Sequence, residues 1–129
     1  MSFEVVKTFE ERIAEFFGAP YAVAVDCCTH GIELCLRRSN VTMISVPKRT
    51  YISIPFLSDK TFMCLSFQFG KHLSLGRGGM ILCDNIQAAE ELKRMSYDGR
   101  LPTVPWRDQD ISTVGYHYYT TPETAQNGL

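Results

Sequence analysis

The sequence predicts an α/β fold in which a mostly parallel sheet is flanked by helices. Three observations carry this. Segments with apolar residues at helical spacing alternate along the chain with short β-type runs. The run YAVAV, Tyr21 to Val25, is apolar at every position, as a strand covered on both faces requires. Glycine, proline and acidic residues stand at the changes from one kind of segment to the other.

The elements follow in order. Val6, Phe9, Ile13, Phe16 and Phe17 mark one face of an amphipathic helix that Gly18 and Pro20 stop. Tyr21 to Val25 is the first strand. Asp26 to Thr29 turns the chain into a second helix with Ile32, Cys35 and Leu36 facing inward, and Arg37 and Arg38 suit the negative end of its dipole. VTMISVP, Val41 to Pro47, reads as the next strand, Thr61 to Phe69 as another and Met80 to Cys83 as a fourth. Asp84 can cap a helix from Asn85 to about Met95, with Gln87 in the capping-box position and Ile86, Ala89, Leu92 and Met95 inward. Beyond Tyr97 the chain turns irregular, and a last helix opens near Thr121 and Pro122.

A chain of 129 residues is the size of one domain, so residues 1–129 are expected to form a single α/β unit. The formal net charge of −1 gives no general attraction to nucleic acid or to an anionic membrane, so an anionic ligand has to be held by a site. No stretch approaches the length of a bilayer span, and MSFEVVKTFEERIAEFF carries acids where a signal peptide carries bases. A cytoplasmic location is the expectation. The 5 cysteines, odd in number and without CxxC spacing, read as reduced core thiols.

Several constellations bear on chemistry. Asp26-Cys27-Cys28-Thr29-His30-Gly31 is a strand-to-helix turn, where free amides and the Thr29 hydroxyl make a seat for phosphate; Thr29 as a plain N-cap is the alternative. Gly76-Arg77-Gly78-Gly79 lacks the spacing of a P-loop and precedes a strand, so it reads as a hairpin-like turn. His30, His72 and His117 show no metal spacing among themselves or with Cys27 and Cys28, and no metal is expected. Lys71 stands where a β-type run meets glycine-rich chain: it is an exposed lysine beside a turn, or an amine whose pKa is lowered by burial and by Arg77 so that it can form a Schiff base. Tyr51, in PKRTYISIP, is a core aromatic or a surface on which a ring stacks.

Taken together, SFQFGKHLSLGRGGMILCDN, the preceding FEERIAEFFGAPYAVAVDCCTHGIELCLR and the tail GYHYYTTPETA resemble the DegT/DnrJ/EryC1/StrS sugar aminotransferases, which use pyridoxal 5'-phosphate on the fold type I aminotransferase scaffold. The resemblance implies a partial large domain of that scaffold. It puts Lys71 at the Schiff-base lysine of the Ser-Phe-x-x-x-Lys pattern, with Ser66 at the serine that binds the cofactor phosphate. Thr29 and the backbone amide of His30 match the phosphate-binding turn, and Tyr51 matches the aromatic that stacks on the pyridine ring. His117 falls where many members place an asparagine that reaches the phosphate in the partner subunit.

The implied reaction is transfer of an amino group, with glutamate as donor, to a keto-sugar nucleotide in a homodimer. Between Pro55-Phe56 and Asp59-Lys60 the family carries further strands and helices, including the aspartate that pairs with the pyridine nitrogen, and nothing in this sequence replaces them. Family members also continue into a small C-terminal domain where this chain reaches Gly128-Leu129. The competing expectation is a shortened, non-catalytic relative that binds the cofactor or another protein.

Overall fold

The computed structural model describes residues 2–40, 62–68, 73–111 and 113–129. The expected strand over 41–47 falls outside them, as do Tyr51, Lys71 and His72. The elements are α1 (Glu4–Phe17), β1 (Tyr21–Val25), α2 (Cys28–Arg38), β2 (Met63–Ser66), β3 (Gly79–Cys83), α3 (Ile86–Ser96), a 3-10 turn at Trp106–Asp108, and α4 (Pro122–Gly128).

The first helix forms and stops as its residues require. Gly18 closes α1 in the left-handed region (φ 74°), its N–H reaching the carbonyls of Ala14 and Glu15. Val6, Phe9, Glu10 and Ala14 are buried, whereas Phe16 stays 82% exposed, contrary to expectation. Burial of Glu10 and Ala14 centres the inward face away from Phe16.

A similar rotation corrects α2. Gly31, Leu34 and Cys35 are its buried residues, and Ile32 is half in water. A side chain at Gly31 would begin 3.3 Å from both Ile81 and Val25, so the helix approaches the sheet through a residue with no side chain. In α3 the cap is Asn85 and not Asp84: its Oδ1 accepts the N–H groups of Gln87 (2.9 Å) and Ala88 (3.1 Å). Ala88, Ala89, Leu92 and Met95 face the core while Ile86 faces solvent. The last helix opens as expected, with Thr121 accepting the Thr124 N–H and proline at its start.

The sheet departs from the expected parallel arrangement. Among the described residues it has three strands in the order β1-β3-β2, and both pairings are antiparallel. The glycine-rich connection after β2 reverses the chain: the Phe67 N–H donates to the Gly78 carbonyl (2.9 Å), the Leu75 N–H donates to the Phe67 carbonyl (2.8 Å), and Gly76 and Gly78 take positive φ. A strand covered on both faces is apolar at every position in either kind of sheet, so composition did not decide direction. The central strand β3 is buried throughout.

Alternation along β1 and β3 divides the core in two. Ala24, Met80 and Leu82 meet Val6 and Phe9 of α1 and Ala125 of α4. Val23, Val25, Ile81 and Cys83 meet Leu34 and Cys35 of α2 and Leu92 of α3. Among the described residues, no helix is long and apolar enough to cross a membrane.

Candidate functional site

Antiparallel pairing brings three chain ends to one edge of the sheet. Val25 ends β1, Gly79 begins β3 and Ser66 ends β2, and the register aligns Val25 with Gly79 and Gly79 with Ser66. The first turn of α2 starts from the same edge. A Cβ at Gly79 would sit 2.7 Å from the Cys28 nitrogen, 2.8 Å from the Cys27 carbonyl carbon and 2.9 Å from the Leu65 oxygen. Glycine at this position lets the start of α2 lie against the sheet.

Cys27 is the N-cap of α2 and makes no side-chain capping bond, which corrects the reading of Thr29 as the cap. Thr29 lies in the first turn with an exposed side chain, where helix N–H groups have no intrahelical acceptor. The structure therefore brings Thr29, the His30 backbone and Ser66 to the same end of the sheet. Tyr51 and Lys71 lie outside the described residues.

His30 is held from two sides. Its Nδ1 is 2.6 Å from the Asp26 Oδ1, and its ring stacks on Tyr118 with centroids 3.7 Å apart and planes 10° from parallel. Tyr118 stacks in turn on Tyr116 at 5.3 Å, and the Arg37 guanidinium lies 5.0 Å from the Tyr116 centroid. The Tyr118 hydroxyl donates to Glu33, whose carboxylate also accepts from the Arg37 Nε (2.8 Å). Loss of water around the phenol, followed by the Glu33 charge, holds the Tyr118 pKa above the usual range. The motif-based reading marked the tail of the chain but not this stack, because its partners come from segments far apart in sequence.

Asp26 is shared. Its Oδ2 accepts from the Arg77 guanidinium at 3.2 Å while Oδ1 faces His30. Asp26 and Arg77 open on a cleft of about 240 Å³ that His117, Tyr119, Thr121 and Thr124 also line. His117 is exposed, 3.5 Å from the Asp98 carboxylate, and contacts Tyr119 edge-on. It thus stands on the cleft beside Asp26 and Arg77 of its own chain. Donor atoms of Asp26, Cys27 and His30 lie within 4.8 Å of one another, a grouping that histidine and cysteine spacing alone did not suggest.

Residues 1–55 match the model of the DegT/DnrJ/EryC1/StrS aminotransferase family. Two solved structures share the fold over nearly the whole chain. AtS13 from Actinomadura melliaura superposes with a TM-score of 0.78 at 17% identity, over 98% of this chain and 59% of that one. 3-Amino-5-hydroxybenzoic acid (AHBA) synthase superposes with a TM-score of 0.72 at 15% identity, over 97% of this chain and 54% of that one. The chain spans little more than half the length of either. No curated protein matches. By sequence the first 55 residues resemble the DegT/DnrJ/EryC1/StrS aminotransferase family, and by fold most of the chain resembles AtS13 and AHBA synthase.

Proposed function

We propose that this chain is a pyridoxal-phosphate-dependent aminotransferase of the sugar aminotransferase kind, which moves an amino group from glutamate to a keto-sugar nucleotide through Lys71. The observation that carries the reading is the row Val25-Gly79-Ser66 at the foot of α2. It supports a phosphate seat built from the Ser66 hydroxyl, the Thr29 hydroxyl and the His30 amide, with Gly79 letting the start of α2 lie close against the sheet beside Ser66. That set is made of hydrogen-bond donors, two of them in the first turn of α2 and one at the end of β2, which suits a phosphate dianion.

Bound there, the cofactor supplies the electron sink for the reaction. The protein's work is placement and proton transfer. Thr29, His30 and Ser66 would fix the phosphate, Tyr51 would offer a flat face to the ring, and Lys71 Nζ would move a proton from the donor's α-carbon to the cofactor's C4′ carbon, first as general base and then as general acid. His117 reaches toward the phosphate region, in this chain or in a partner within a homodimer. A second reading, a cofactor-binding or protein-interaction domain without turnover, draws on the sequence between Phe56 and Asp59, which has no counterpart of the aspartate that pairs with the pyridine nitrogen.

The test is to incubate the protein with pyridoxal 5'-phosphate, reduce with borohydride, digest and map the adduct by mass spectrometry. A single stoichiometric adduct on Lys71, absent from Lys71→Arg, is expected. Scattered or absent labelling overturns both cofactor-based readings. Labelling of Lys71 without any spectral response to glutamate leaves the binding domain standing and removes the aminotransferase.

A further inference from the structure

We propose that Asp26, Cys27 and His30 form a three-donor site for a borderline-soft divalent transition metal, Zn²⁺ being the ion whose ligand preferences fit best. One carboxylate oxygen, one thiol sulfur and one imidazole nitrogen converge within 4.8 Å, drawn from the connection between β1 and α2 and from the first turn of α2. Oxygen, sulfur and nitrogen donors of these types are the ones zinc accepts, and three protein ligands leave a fourth position open.

The turn holds each donor in place by a separate contact. The Asp26 N–H donates to the Tyr118 carbonyl (2.8 Å), and Arg77 occupies Oδ2, which leaves Oδ1 turned toward His30. The His30 ring is clamped face to face on Tyr118, so its plane is set before any ion arrives. Cys27 is tied to the sheet by a bridge to Gly78 and is half-buried. Outer contacts of this kind orient metal ligands and raise their affinity.

The His30 Nδ1 and Asp26 Oδ1 are only 2.6 Å apart, the length of a strong hydrogen bond. An ion bonded to both at about 2.0–2.1 Å would replace the shared proton and part the two atoms to roughly 3.3 Å. Cys27 would lose its thiol proton at the same time. Binding therefore releases protons, and affinity rises with pH. Asp26 also lines the cleft with Arg77 and His117. This site uses side chains, whereas the proposed phosphate seat uses the His30 backbone amide, so either proposal can fail without the other.

The experiment titrates the whole chain, without pyridoxal phosphate, with Co²⁺ and Zn²⁺. Co²⁺ is expected to give ligand-field bands together with a thiolate-to-cobalt charge-transfer band, which Zn²⁺ abolishes by competition. Cys27→Ser should remove the charge-transfer band and Cys28→Ser should keep it. Asp26→Asn and His30→Gln should each lower the Zn²⁺ affinity at least tenfold. On the unsubstituted protein, Zn²⁺ should slow alkylation of Cys27 by iodoacetamide, a readout that does not depend on any variant folding. A charge-transfer band that survives Cys27→Ser, or no band and no protection of Cys27, overturns the site.

Discussion

Gly79 carries a constraint that backbone cannot relieve. The atoms a methyl group would meet there, the Cys28 nitrogen, the Cys27 carbon and the Leu65 oxygen, are all main chain. Gly79→Ala is therefore expected to cost about 1–3 kcal/mol, read as a lowered denaturant midpoint. The sequence marked Gly79 only as a turn glycine, because the neighbours that demand it come from β2 and from the start of α2. Glu10 is a second case. It is buried, its carboxylate accepts the Ala24 N–H at 2.7 Å and pairs with Lys93, and burial raises its pKa above 4.5 despite that pairing.

The sign of the Glu10 contribution follows from that raised value. Between the unfolded pKa near 4.5 and the higher folded one, the native state binds more protons than the unfolded state. What Glu10 adds to stability is thus largest below pH 4.5 and declines as pH rises through the folded pKa. Urea midpoints of the parent protein and Glu10→Gln, compared across that window, should show the parent losing ground as pH rises. A constant difference would contradict the assignment. A hydrophobic pattern cannot announce a buried acid of this kind, since Glu10 sits in an ordinary acidic helix face when read alone.

At the scale of elements, spacing located α1, β1, α2, β3 and α3 because each has a periodic or uniformly apolar signal, and the Thr121-Pro122 start signal located α4. It missed rotations. Ile32, Phe16 and Ile86 are the large residues turned outward, and in each helix a small or polar residue took the inward place: Gly31 in α2, Glu10 and Ala14 in α1, Ala88 in α3. Close approach to a sheet favours small residues, and hydrophobicity counts do not register that. Phe9, 1% exposed and 5.6 Å from the Phe67 ring, is the anchor of α1, and Phe9→Ala should cost about 3–5 kcal/mol in denaturation. Asn85→Ala should cost roughly 1 kcal/mol through the lost cap of α3.

For the molecule as a whole, direction of the sheet was the least legible property. It depends on how Phe67, Leu75 and Gly78 pair across a connection, a long-range fact that no local run contains. The candidate site was legible in part. Ser66 and Thr29 were marked from motifs and do come to one end of the sheet, whereas the pairing of Asp26 with Arg77 and the stacking of Tyr118 on His30 entered only through geometry. The family resemblance further leads to the expectation of a homodimer. Light scattering should give about twice the 14.6 kDa of one chain; a monomer at micromolar concentration would count against it.

The contact between Glu10 and Ala24 has a consequence for such assembly. Two strands form the margins of the described sheet, β1 and β2. Along β1 the Glu10 carboxylate takes the outward Ala24 N–H, and just past its end the Tyr118 carbonyl takes that of Asp26. A strand from another molecule finds those donors already engaged. Among the described residues this makes the β1 margin a poorer template for strand addition than the β2 margin, so growth by edge pairing is disfavoured on that side. Glu10→Ala would free the Ala24 N–H, and its expected signature is a shift toward larger species in sedimentation velocity.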